Sequence, residues 1–109
     1  MTEKSISVLV SSFPYFKLLT ALYLDDNEFG TDGAKSIAKN LKFLSKLKTL
    51  SCCTCEITAG GAYFLAKTAS AIPSFINLEL DGNAIIEEGV NTIQSTLLEK
   101  KKILGGYLY

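Results

Sequence analysis

Apolar side chains recur along this chain with a period of 28 residues. Segments 19–46, 47–74 and 75–102 align without a gap, and their matching columns agree in chemical type. One column holds only leucine and a later one only glycine: Leu22, Leu50 and Leu78, then Gly33, Gly61 and Gly89. A repeat of this length is typical of solenoid proteins, in which each unit packs against its neighbours.

Each unit changes its hydrophobic period part-way along. Leu22 and Leu24 flank a residue of the opposite face, as in a β-strand with one buried side. Further on, Ala34, Ile37 and Leu41 are spaced as on the buried face of an amphipathic helix. Neither half can bury its apolar face alone, so we predict stacked units with parallel strands inside and helices outside, an α/β fold.

The columns match the leucine-rich-repeat pattern, L-x-x-L-x-L-x-x-N/C-x-L, with Phe or Ile at its last place. The matching residues of the first unit are Leu19, Leu22, Leu24, Asn27 and Phe29. The length of the unit is that of the long, ribonuclease-inhibitor-like form of the repeat. We therefore predict one domain over residues 1–109, a leucine-rich-repeat solenoid of about three and a half repeats.

The two ends of the array depart from the pattern. In the same frame, residues 1–18 place Ile6, Leu9 and Phe13 on the buried face of a helix whose own strand is missing. We therefore expect an open edge on the first strand, which either upstream repeats of a longer protein or a second copy of the chain can cover. After the third unit the period stops, and residues 103–109 are expected to form either an apolar end cover or a loose end.

Composition narrows the range of functions. The 109 residues include 11 basic and 11 acidic ones, so no general attraction to nucleic acid or to an anionic membrane is expected. Every basic residue is Lys and there is no His, which removes the arginine finger and the commonest general base. We predict no enzyme active site and no cofactor. No apolar run approaches the roughly 20 residues that span a bilayer.

Three cysteines lie close together at Cys52, Cys53 and Cys55. A structural zinc site needs four Cys or His ligands, so we predict no metal site unless a partner completes the set. Cys52 and Cys55 fall in inward columns, whereas Cys53 should face outward as the one thiol with potential reactivity. The spacing does not suit a disulfide framework, which favours a reducing compartment such as the cytoplasm.

The outward strand positions and the loops after the strands are rich in acidic residues. The candidate partner-binding residues are Tyr23, Asp25, Asp26, Glu28, Ser51, Cys53, Glu56, Glu79 and Asp81. Such a surface should attract a basic protein partner and speed its association. The alternative to a binding surface is an ordinary solvated repeat surface, and the alternative to a binding module is a structural spacer without a partner. Asn27 and Asn83 are expected to bind loop backbone groups rather than to perform chemistry.

The last unit carries the closest family resemblance. It contains Leu78-Glu-Leu-Asp-Gly-Asn83, then Glu87-Glu-Gly89, a helix, and a lysine-containing exit that ends in Ile103-Leu104. These residues resemble the final repeats of the Ran GTPase-activating protein family. The resemblance implies a module that binds the small GTPase Ran and speeds its GTP hydrolysis in nucleocytoplasmic transport. It also implies a location in the cytoplasm or at the nuclear envelope.

Family members need no arginine finger, because they position the glutamine of the GTPase itself, and this is compatible with the absence of Arg. The family's important asparagine and basic residues lie in earlier repeats and match no position here. Other long-repeat proteins share most of the columns. The alternative is therefore a ribonuclease-inhibitor-like or immune-type protein-recognition module with no GTPase role.

Overall fold

Strands and helices alternate along the chain in the computed structural model, which describes residues 2–105 apart from the side chain of Glu3. The helices are α1 (Glu3–Ser12), α2 (Gly30–Asn40), α3 (Ala59–Ser70) and α4 (Glu87–Glu99). The strands are β1 (Ala21–Tyr23), β2 (Thr49–Ser51), β3 (Asn77–Glu79) and β4 (Ile103–Gly105). Short 3-10 turns, Phe13–Tyr15 and Leu41–Phe43, extend the ends of α1 and α2.

The four strands form one parallel sheet in the order β1-β2-β3-β4. Leu22 pairs with Leu50, and Leu50 pairs with Leu78, so the register between these strands equals the 28-residue repeat. Both Leu50 and Leu78 are fully buried against the helices. The predicted arrangement of repeats, with helices packed on one side of a parallel sheet, is confirmed.

The fourth strand is the part of the sheet that the repeat pattern did not predict. Leu104 pairs with Leu78, which lies only 26 residues earlier. The spacing is shorter because α4 is one residue longer than α3, while its connection to the following strand is three residues shorter. The leucine therefore falls outside its expected column. Residues 103–109 were expected to form an end cover or a loose end. Residues 103–105 form a strand, and residues 106–109 lie outside the described part of the chain.

Helix α1 packs on the array as predicted for the helix of an incomplete repeat. Ile6 and Phe13 are buried. Leu9 is only partly buried, although its column is fully buried at Ile37. The reason is position: Ile37 is covered by helices on both sides, whereas α1 contacts α2 on one side alone within residues 2–105.

Side chains that cross from one repeat to the previous one hold the loops after the strands. Asn83 Oδ1 accepts hydrogen bonds from the backbone N–H groups of Cys55 (2.9 Å) and Ile57 (3.0 Å). Its Nδ2 donates to the carbonyl oxygen of Cys52 (2.7 Å). Cys55 occupies the same column one repeat earlier and reaches back with its thiol, which donates to the carbonyl oxygen of Leu24 at 3.1 Å. Asn83 thus satisfies three backbone groups of its neighbour.

We expect Asn83→Ala to lower the free energy of unfolding by about 2–4 kcal/mol, because it leaves buried backbone donors of the preceding loop without a partner. The matched control is Asn27→Ala. Asn27 has the same column position but donates only within its own loop, to Leu24 O and Asp25 O. Its loss should be about 1 kcal/mol. Urea unfolding of both variants measures the difference, and equal losses would contradict the role of the crossing bonds.

Candidate functional site

The candidate surface combines the open face of the sheet, which is the side opposite the helices, with the loops that follow the strands. Tyr23 on β1 is 64% exposed and is the largest exposed side chain of the predicted binding set. Glu79 on β3 and Asp81 in the next loop are partly exposed. These residues share one side of the molecule because alternate strand positions point to the same face.

Ser51 lies on the open face of the sheet, but its side chain is less exposed to solvent than expected for that face. It is only 2% exposed, and its hydroxyl donates to Asp25 Oδ1 at 2.6 Å. The same carboxylate oxygen accepts the backbone N–H of Cys53 at 2.7 Å. Asp25 therefore ties the first loop to the second strand. Ser51 stays a predicted partner-binding position, but its hydroxyl is already used in a hydrogen bond inside the fold.

Three of the predicted acidic residues are exposed: Asp26, Glu28 and Glu56. We call this set the acidic rim. Glu28 and Glu56 hold the same column of adjacent repeats, so they lie on neighbouring loops of the stack. The stacking is direct, since the backbone N–H of Asp26 donates to the carbonyl oxygen of Cys53 on the next loop at 2.9 Å. The rim is a run of carboxylates along one edge of the open face.

The turns that carry the rim have a left-handed residue in a repeated position. The backbone φ angle is 62° at Asp26, 54° at Thr54 and 73° at Gly82, and these residues share one column. Thr is a poor choice for this region, because its branched Cβ crowds the backbone. Thr54 is held there by the next loop, since its N–H donates to the carbonyl oxygen of Asp81 at 2.8 Å. The rim side chains therefore project from a fixed backbone.

Asp81 is the third member of the column that contains Asp25, but its surroundings differ. Its Oδ1 atom is buried and has no hydrogen-bond partner among the residues that the structure describes.

Thr54 is exposed at the left-handed position of the second loop, and it was not among the predicted residues. The repeat pattern could have identified Thr54, because it falls in the same column as the predicted residue Asp26. Ile103 on β4 is also exposed on the open face, and the broken period hid it.

The cysteines divide as the strand alternation predicted: Cys52 and Cys55 are buried and Cys53 is partly exposed. Burial raises the pKa of Cys53, although a hydrogen-bonding contact with Ser51 acts in the opposite direction. Burial also raises the pKa of Cys55, and raises that of Cys52 far more. All three are thus held as thiols. Within residues 2–105 no group of three or more Cys, Asp or Glu side chains is placed to hold a metal ion.

None of the four helices in the described part of the chain combines the length and the apolar character that a bilayer crossing requires.

Comparison with solved structures finds the C-terminal domain of tropomodulin from Caenorhabditis elegans, with a TM-score of 0.73 and 14% sequence identity. The match covers 91% of this chain and 61% of that one, so the chain spans about three fifths of its neighbour. The fold is a leucine-rich-repeat solenoid. At this identity the likeness concerns the architecture alone. No protein-family model matches this solenoid, and no curated protein matches it in sequence.

In the folded solenoid we expect an alkylating reagent to label Cys53 before Cys52 and Cys55, because only Cys53 is accessible. Its raised pKa should shift the rise in labelling to a pH above that of a free thiol, whose pKa is about 8.5. Mass spectrometry of timed samples measures both effects, with the urea-unfolded chain as control. Faster labelling of Cys52 would mean that the strand register is displaced by one residue.

Proposed function

We propose that this chain is a protein-binding module whose open face and acidic rim receive a partner with a basic surface. The observation that carries the proposal is the pairing of an exposed aromatic anchor, Tyr23, with three exposed carboxylates on two stacked loops. Buried aromatic anchors supply much of the binding energy at protein interfaces. Complementary charge around them sets orientation and increases the association rate.

The rigid loop backbone supports this role. The rim carboxylates project from turns whose N–H groups are bound by the neighbouring loop, so little conformational entropy is lost when a partner binds. Asp25 and Ser51 do not contribute directly, because they bind each other. The contact surface of the proposal is therefore smaller than the predicted set and centres on Tyr23 and the acidic rim.

We expect Glu56→Lys to weaken capture of the partner from cell extract by about three- to tenfold, because it replaces an attractive rim charge with a repulsive one. Glu99→Lys, an identical change at an exposed position on α4, is the matched control and should leave capture unchanged. Quantitative mass spectrometry of the bound proteins at two salt concentrations provides the measurement. A set of captured proteins that is the same for the unmodified chain and Glu56→Lys would contradict the proposed surface.

As the partner we propose a Ran-type small GTPase, which makes the chain part of a GTPase-activating protein that acts in the cytoplasm. The support is the resemblance of residues 75–104 to the last repeats of that family. Recognition of a different protein, as in ribonuclease-inhibitor-like or immune-type modules, is the alternative. Binding of Ran loaded with a fluorescent GTP analogue separates the two, because saturable binding that Glu56→Lys weakens favours the GTPase and its absence favours the alternative.

The chain alone should bind without activating. No catalytic group is recognisable in the sequence, and no residue matches the positions on which the family's activity depends. We therefore expect the rate of GTP hydrolysis by Ran to be unchanged when this chain is added in excess. Single-turnover hydrolysis is the measurement. A tenfold stimulation, equivalent to about 1.4 kcal/mol of barrier, would show that the described residues contain a catalytic element.

A further inference from the structure

Charge is divided between the two edges of the solenoid, although the net charge is zero. The connections that lead from a strand to the next helix contain acidic residues and no lysine: 24–29, 52–58 and 80–86. The connections that lead from a helix to the next strand contain no acidic residue: 13–20, 41–48, 71–76 and 100–102. Because the strands are parallel, the two sets of connections lie at opposite edges of the sheet.

We call the second set of connections the basic edge. It carries seven of the lysines: Lys17, Lys42, Lys46, Lys48, Lys100, Lys101 and Lys102. Clusters of about four to eight basic residues attract surfaces of anionic lipid.

The connection 41–48 shows that the exposed charge belongs to the repeat itself and not to an end of the array. It is hydrogen-bonded to a connection on each side. The N–H of Lys48 donates to Thr20 O at 2.7 Å, and Lys48 O accepts from the N–H of Ile76 at 2.8 Å. The side chains of Lys46 and Lys48 are nevertheless exposed. Their positions are therefore fixed by neighbours on both sides, while their ammonium groups face solvent.

Large apolar side chains are exposed among these lysines. Phe43 is 39% exposed, and Lys42 Nζ lies 5.4 Å from the centre of its ring. Tyr15, in the column of Phe43, is 85% exposed, and Leu18, in the column of Lys46, is 82% exposed. Exposed apolar side chains interspersed with lysines are typical of proteins that lie at a membrane interface.

Helix dipoles account for only part of the basic edge. A lysine in the last turn of a helix stabilises the partial negative charge there, but this effect fades within one turn. Lys46 and Lys48 lie beyond the 3-10 turn Leu41–Phe43 that extends α2. Lys102 has a structural role of its own, since its Nζ donates to Pro73 O at 3.1 Å. The charges of Lys46 and Lys48 are the ones that the fold itself does not use.

We propose that the basic edge binds the surface of a membrane that contains anionic lipids. Its ammonium groups pair with lipid headgroups, while Tyr15, Leu18 and Phe43 enter the boundary between headgroups and acyl chains. The zero net charge predicted no such attraction, but at physiological salt the charge within a Debye length of the lipid decides it. The site goes beyond the proposed function, because the acidic rim lies at the opposite edge and faces away from the lipid.

Two other anionic partners match this edge less well. Single-stranded nucleic acid is bound by aromatic rings that stack on its bases, whereas the exposed side chains of Leu18 and Ile76 have no such ring. The acidic rim of a second copy supplies carboxylates, but the connections that carry it expose one large apolar side chain, Ile86. Contact between two copies would leave the apolar side chains of the basic edge without a matching surface.

Flotation with lipid vesicles tests the proposal. The full chain should float at low salt with vesicles of phosphatidylcholine and phosphatidylserine, and not with vesicles of phosphatidylcholine alone. Lys46→Glu combined with Lys48→Glu should weaken binding about tenfold or more, because repulsive charges replace attractive ones. The matched control is Lys4→Glu combined with Lys35→Glu, an equal change of charge at exposed positions on α1 and α2. Equal losses in the two double variants, or no flotation of the unmodified chain, would overturn the proposal.

A second pair of variants tests the insertion of apolar side chains. Leu18→Ser should weaken vesicle binding about threefold or more, because it removes apolar surface that the lipid covers. Val8→Ser, the matched control at an exposed position on α1, should leave binding unchanged. Equal binding of both variants would contradict the proposed insertion.

Two further results would assign the basic edge to another partner and overturn the proposal. One is binding of a single-stranded RNA, lost in Lys46→Glu with Lys48→Glu, by a chain that does not float with vesicles. The other is a dimer in sedimentation at low salt that is disrupted both by this double variant and by Glu56→Lys. If the proposal is correct, Glu56→Lys leaves flotation unchanged, so failure at the acidic rim and failure at the basic edge are separable.

Discussion

Hydrogen bonds that cross between successive loops are the constraint on which the rest of this structure depends. The strands are only three residues long, so strand pairing alone contributes few bonds. Asn83, Asp25 and the thiol of Cys55 each reach across one repeat and satisfy backbone groups of a loop that would otherwise be buried without partners. A buried backbone group without a partner costs about 1–3 kcal/mol. These crossing hydrogen bonds therefore hold the loops that carry the acidic rim against one another.

The regular part of the fold could be predicted because its physical cause repeats. A leucine every 28 residues occupies the same place between sheet and helices, and strand pairs in this register keep every leucine on the buried side. The prediction stopped at β4, since two residues are missing before Leu104 and the column of leucines loses its phase there. The position of β4 is seen only from its pairing with β3, which the 28-residue period does not predict.

The candidate site was less predictable for a different reason. Strand alternation correctly assigns a face to Ser51, but exposure depends on which neighbour its hydroxyl binds. Asp25 and Asp26 are adjacent acids in the sequence, yet one binds the next strand and the other faces solvent. Asp26 itself adopts the left-handed conformation, and its backbone N–H is bound by the stacked loop. The sequence shows which residues of this surface are acidic, whereas the hydrogen bonds of the folded loops determine which carboxylates are exposed to a partner.

The shared left-handed position has a consequence for how such a surface changes. Asp26, Thr54 and Gly82 adopt the same backbone angle although their side chains have nothing in common. The neighbouring repeat imposes the conformation, and an unfavourable residue costs only about 1–2 kcal/mol. The side chains at Asp26 and Thr54 are exposed and can therefore be exchanged without a change in the turn, whereas a Cβ added at Gly82 would lie 2.7 Å from Thr54 Oγ1. Binding preference can drift, or be redesigned, one turn at a time while the scaffold beneath stays constant.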